Sequence, residues 1–184
     1  MHWEKSGAFT GEISAGMLRA LYVKYVIIGH SERRLLFGET DELVNRKLQA
    51  ALNTGLRPIF CVGETLSERD AGKEQEILER QLREGLKTVS PKDFSELVVA
   101  YEPVWAIGTG KTATPEIAAE AHAVIRKQAS EIFGEDFANQ LRILYGGSVK
   151  PENVKALMAE EEIDGALVGG ASLDPKSLAA IVKY

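Results

Sequence analysis

The chain has 184 residues, 45% of them hydrophobic, with a formal charge of −5 and a single cysteine, Cys61. That is enough apolar material for one packed core and too much for disorder. The acidic balance argues against a general nucleic-acid or membrane-surface role, one cysteine excludes an internal disulfide framework, and no apolar run approaches the roughly 20 residues of a membrane span. Residues 1–10 hold Glu4 and Lys5 and lack the apolar core of a secretory leader, so a reducing, cytoplasmic setting is expected.

In chain order, Ser14 to Leu21 reads as a helix. Tyr25–Ile28 is the first of five short apolar runs; the others are Ile59–Val62, Leu97–Tyr101, Ile143–Tyr145 and Ala166–Val168. They are rich in β-branched and aromatic residues and do not alternate with polar ones, which is how parallel strands buried on both faces read. Between them lie helical patterns: Thr40 to Leu52, a long charged stretch from Ser67 to Leu86, Pro115 to Phe133 behind Thr114 as N-cap, Pro151 to Met158, and Pro175 to Val182 behind Asp174. One helix followed by five strand–helix units gives an α/β fold in a single domain over 1–184, either an open doubly wound sheet or a barrel. No Gly-x-Gly-x-x-Gly opens the first unit, which weakens a dinucleotide-binding reading.

Polar residues and glycines gather at the carboxyl ends of all five runs: Gly29-His30-Ser31-Glu32, Gly63-Glu64, Glu102, Gly146-Gly147-Ser148, and Gly169-Gly170-Ala171-Ser172. Ligands of parallel α/β folds bind there. Glu102 ends a buried strand, where desolvation favours a base; taken alone it reads equally as a cap or a buried ion-pair partner. The loop Pro103, Val104, Trp105, Ala106, Ile107, Gly108, Thr109, Gly110, Lys111 has an apolar middle between proline and glycine ends. That is the composition of a water-excluding lid, or of a loop packed on the rim. His30 stands where a helix start would keep its imidazole neutral and able to donate to a carbonyl, the alternative being a satisfied core histidine. Gly146-Gly147-Ser148 and Gly169-Gly170 read as phosphate cradles, although diglycine turns are common. Cys61 reads as core, near enough to Glu64 to line the site, and the 67–86 stretch as a solvated outer face. His2 and His122 have no ligand-spaced partners, and no cluster has metal-ligand spacing.

Four stretches together, Tyr25–Arg34, Ala100–Lys111, Leu144–Val149 and Gly165–Leu173, carry a resemblance to the triosephosphate isomerase family over the whole chain. The resemblance implies a (β/α)8 barrel and an isomerase of phosphorylated three-carbon sugars needing no metal or cofactor. It implies Glu102 as base, His30 as electrophile, residues 103–111 as lid, and Gly108, Ser148, Gly169 and Gly170 as phosphate holders. Ser31, Glu32 and Cys61 take supporting places. It further implies a homodimer through the loop around Thr10. The glutamate–neutral histidine pairing is likewise what the resemblance implies.

Five strands are expected here against the barrel's eight. The resemblance begins after the family's third strand, so an Asn-x-Lys cation facing the substrate is expected to be missing, leaving Glu32 without the lysine it would touch. Ala20 and Tyr22 stand where an acidic residue and a glycine are expected. Two readings follow: a fragment, or an incomplete sequence, of an active isomerase, or a non-catalytic barrel piece that folds only by association with another chain or copy; in either, the chain alone is expected to have little or no activity.

Overall fold

A computed structural model describes residues 1–106 and 113–184. Its five strands, β1 (Tyr25–Ile28), β2 (Arg57–Val62), β3 (Val98–Tyr101), β4 (Arg142–Tyr145) and β5 (Gly165–Ala166), lie in one sheet in sequence order. All neighbouring pairs are parallel, with registers such as Ile28 opposite Phe60, Val62 opposite Tyr101 and Tyr101 opposite Tyr145. The sheet is an incomplete barrel: β1 and β5 are its two edges and do not pair with each other.

The helices are α1 (Ala15–Ala20), α2 (Ser31–Phe37), α3 (Asp41–Asn53), α4 (Leu66–Asp70), α5 (Glu74–Leu86), α6 (Pro115–Phe133), α7 (Glu135–Gln140), α8 (Val154–Leu157) and α9 (Pro175–Val182). Their starts follow the capping chemistry of the sequence. Ser14, Thr40, Thr65, Thr114 and Asp174 each accept a backbone N–H from the first turn. α3 buries Val44, Leu48 and Ala51 completely, and burying a Val or Leu side chain contributes about 1.5–3 kcal/mol.

Four expectations are corrected. The single helix over 67–86 is two, because Gly72 takes φ +68° and ends the first segment after its Thr65–Glu68 capping box. Pro151 sits in a turn, and α8 starts only at Val154. α7 was not foreseen; Gly134, at φ 95°, turns the chain sharply out of α6. β5 is confined to Gly165–Ala166 at the sheet edge. Tyr22, where a glycine was expected, lies in the left-handed region at φ 60°, a conformation that costs an L-residue about 1–2 kcal/mol.

Val99, Ala100 and Tyr101 of the central strand are fully buried. Apolar side chains are exposed on and beside the edges: Tyr25 and Ile27 on β1, Leu21 and Tyr22 before it, and Leu173 and Val182 after β5.

His122 of α6 is completely buried, edge-on to Tyr101, with Nδ1 3.1 Å from the Glu162 carbonyl. Its Nε2 has no partner among the described residues. Burial pushes its pKa down to about 4. Below about pH 6.5 the unfolded chain takes up a proton that the folded chain refuses, so stability is full above that pH and falls as pH drops towards 4. The loss amounts to about 3 kcal/mol. Urea titrations at pH 7 and pH 4.5 should show a shallower acid limb for His122→Gln; identical limbs would sink this account.

Candidate active site

Glu102 follows β3 and is 2% exposed. Its backbone N–H donates to Val62 O at 2.8 Å, continuing the β2–β3 ladder by one residue. Its carbonyl lies against Gly63, where an added Cβ would stand 1.7 Å from the Glu102 oxygen. The carboxylate turns towards the start of α2. Oε2 accepts the Ser31 N–H at 2.9 Å, and Oε1 accepts the Ser31 hydroxyl at 3.2 Å and faces His30 Nε2 at 3.0 Å.

His30 is the N-cap of α2, and its Nδ1 accepts the Glu32 N–H at 3.3 Å. An acceptor Nδ1 leaves the proton of the neutral ring on Nε2, aimed at Glu102. The hydrogen bond with Glu102 raises the His30 pKa, against partial burial that lowers it. The helix start therefore does not act alone on this ring. Its protonation is tied to where the Glu102 carboxylate lies, and the expectation of a histidine kept neutral by the helix is modified to that extent.

These two side chains border a cavity of 410 Å³, within the range of small-molecule sites. Glu32, Ser148, Gly169 and Gly170 line it too. A Cβ at Gly147 would meet the Tyr145 hydroxyl at 2.3 Å, so packing requires that glycine. At Gly169 and Gly170 nothing lies within 4 Å of an added Cβ. The protein's own packing does not demand glycine there, and the open space leaves backbone accessible to a ligand.

Other expected members sit elsewhere. Cys61 is fully buried and does not line the cavity; burial, and secondarily Glu102, push its thiol pKa well up. Glu64 faces away from the cavity. It is fully buried and accepts from Tyr101 Oη at 3.0 Å, Trp105 Nε1 at 2.8 Å and Arg69 at 3.0 Å. Arg69 also stacks over the Trp105 ring at 4.6 Å. The first part of the expected lid is thus fastened: Val104–Ala106 form a 3-10 turn, with Pro103, Trp105 and Ala106 buried. Ile107, Gly108, Thr109, Gly110 and Lys111 lie outside the described residues.

The triosephosphate isomerase family model matches residues 1–184. The chain belongs to the triosephosphate isomerase family. A triosephosphate isomerase of Moorella thermoacetica is 62% identical over 184 residues, covering 100% of this chain and 74% of the relative. Those of Geobacter metallireducens and Solibacter usitatus are 60% and 58% identical, each over 182 residues, covering 99% of this chain and 72% and 73% of the relatives.

As a triosephosphate isomerase, the chain has features that the sequence reading missed. Lys150 is the cation among the described residues lining the cavity, next to Ser148. It lies two residues past the Gly-Gly-Ser turn, and that turn is the signal that points to it. Gln81, inside the stretch read as solvated, is buried and bonded to the turn after β2. No local pattern marks it.

Proposed function

We propose that this triosephosphate isomerase interconverts dihydroxyacetone phosphate and D-glyceraldehyde 3-phosphate, with Glu102 as base and His30 as electrophile. One observation carries the roles: a carboxylate and a ring N–H, 3.0 Å apart, share a cavity that Ser148, Gly169 and Gly170 also line. Glu102 leaves Ser31 and takes a proton from the carbon beside the substrate carbonyl. The electron pair moves onto the carbonyl oxygen, where the His30 Nε2–H stabilises the enediolate and exchanges a proton with its two oxygens. Returning the proton to the adjacent carbon completes the isomerisation. The reaction is redox-neutral overall, so it calls for no redox cofactor. Gly108, Ser148, Gly169 and Gly170 hold the phosphate, Lys150 adds a positive charge, and residues 103–111 form the lid.

The loop of residues 3–13, closed by the His2–Ser14 bridge and largely exposed, supports a homodimer joined around Thr10. Among the described residues no helix is long and apolar enough to cross a membrane, and the proposed location is the cytoplasm.

The test is a coupled assay on the protein purified from a host lacking its own isomerase. Glu32 has no ion-pair partner among the described residues, so no second cation is placed against the substrate there. Turnover is therefore expected to be measurable but well below that of the relatives. Absence of any turnover would overturn the proposal.

A further inference from the structure

We propose that Gln81 is a positioning residue for Glu102: its carboxamide pairs with both backbone groups of Gly63, and Gly63 in turn bears on the Glu102 peptide. The inference rests on the reading of Glu102 as the base. Gln81 lies on α5, is 4% exposed and touches no part of the cavity beside His30. Its Oε1 accepts the Gly63 N–H at 2.8 Å and its Nε2 donates to the Gly63 carbonyl at 3.1 Å. The side chain therefore holds Gly63 as a neighbouring strand would. An added Cβ on Gly63 would stand 1.7 Å from the Glu102 oxygen and 2.7 Å from its carbonyl carbon, so the two peptides are in direct contact.

What fixes the reach of Gln81 is the next turn of the same helix. Gly85 lies four residues on, on the same face. An added Cβ there would meet the Phe60 ring at 2.5 Å, so α5 approaches β2 as closely as a glycine allows. Asn45 of α3 also donates to the Gly85 carbonyl at 2.7 Å. The helix is thereby anchored on β2, and Gln81 arrives at the turn where β2 ends. A shift of about 1 Å in a reacting group can cost on the order of 100-fold in rate, so a clamp on the peptide beside the base has a kinetic consequence.

The experiment compares Gln81→Met and Gln81→Glu with the unaltered protein and with Glu102→Gln. Gln81→Met leaves both Gly63 groups without their partners. kcat is expected to fall about 10-fold, with KM within about 2-fold because Gln81 is bonded to Gly63 and does not line the cavity that holds Ser148, Gly169 and Gly170. Gln81→Glu separates positioning from folding. Ionised, the new carboxyl accepts the N–H but faces the carbonyl oxygen without a proton to donate; protonated, it restores both bonds. Its kcat relative to the unaltered protein should therefore rise about 10-fold between pH 8.5 and pH 6. The cleft beside Gln81 also holds Arg34, Glu39, Asp41, Glu68 and Arg80. These are present in both proteins, and the ratio removes their common part. A lowered melting temperature with unchanged kcat in Gln81→Met, or a pH-independent ratio in Gln81→Glu, would overturn the inference. Near-normal turnover in Glu102→Gln would instead overturn the reading of the base.

Discussion

Glu102→Gln is expected to lower kcat by about 10²–10⁴-fold while KM stays within a few-fold. The carboxamide has nearly the shape of the carboxylate but cannot take up the substrate proton. The carboxylate receives three donors: the Ser31 N–H, the Ser31 hydroxyl and His30 Nε2. A glutamine offers one acceptor oxygen, and its NH2 would face one of those donors. The resting contact to α2 is therefore also lost in part, at about 1 kcal/mol, the scale of a single hydrogen bond. Ser148, Gly169 and Gly170 line the same cavity and are left unaltered by the change, which is why binding should survive. Steady-state kinetics decide it: an intact kcat with a raised KM would make Glu102 a binding residue and remove it as base. The same substitution tests the coupling to His30. Without the carboxylate, the pKa of His30 should drop, since the hydrogen bond to Glu102 is what raises it.

The strands and most helix starts were legible because they rest on local chemistry, whereas the choice of a barrel order over a doubly wound one came only with the family resemblance. Uninterrupted apolar runs mark buried parallel strands, and Ser14, Thr40, Thr114 and Asp174 announce their helices by side chains that satisfy first-turn N–H groups. What stayed hidden depends on partners distant in sequence. Glu64 and Glu102 both follow strands, yet one turns beneath Trp105 and the other borders the cavity. Only the fold brings Trp105 and Arg69 to the first and Ser31 and His30 to the second. The broken helix at Gly72 was locally visible, but the charged pattern on either side masked it. Gln81 could not be read at all: a glutamine in a charged helix looks solvated until α5 is laid on β2. The coupling of His30 to Glu102 was out of sight for the same reason. A helix start was visible in the sequence, whereas a carboxylate 3.0 Å away was not.

Gly63→Ala should be the most damaging glycine-to-alanine change among the described residues. The conformation itself is no obstacle, because Gly63 does not occupy the left-handed region. The cost is steric. The new Cβ would lie 1.7 Å from the Glu102 oxygen and 2.7 Å from its carbonyl carbon, both backbone atoms that no side-chain rotation can move aside. Either β2 must retreat, against Gln81 on Gly63, or the end of β3 must. β3 is tied on both sides, through Glu102 N–H to Val62 O at 2.8 Å and Gly146 N–H to Tyr101 O at 2.7 Å. Overpacking commonly costs about 1–3 kcal/mol, and a backbone-to-backbone clash belongs at or above the top of that range. Urea unfolding should therefore show a loss of about 3 kcal/mol or more, and kcat of the folded fraction should fall about 100-fold because the base is displaced. Gly169→Ala is the control. Nothing lies within 4 Å of its Cβ, so stability should be unchanged while phosphate binding weakens. Equal stability of the two variants would mean that β2 and β3 part easily. The position of Glu102 would then have to be set from the α2 side, by Ser31 and His30, and not by the strand beneath it.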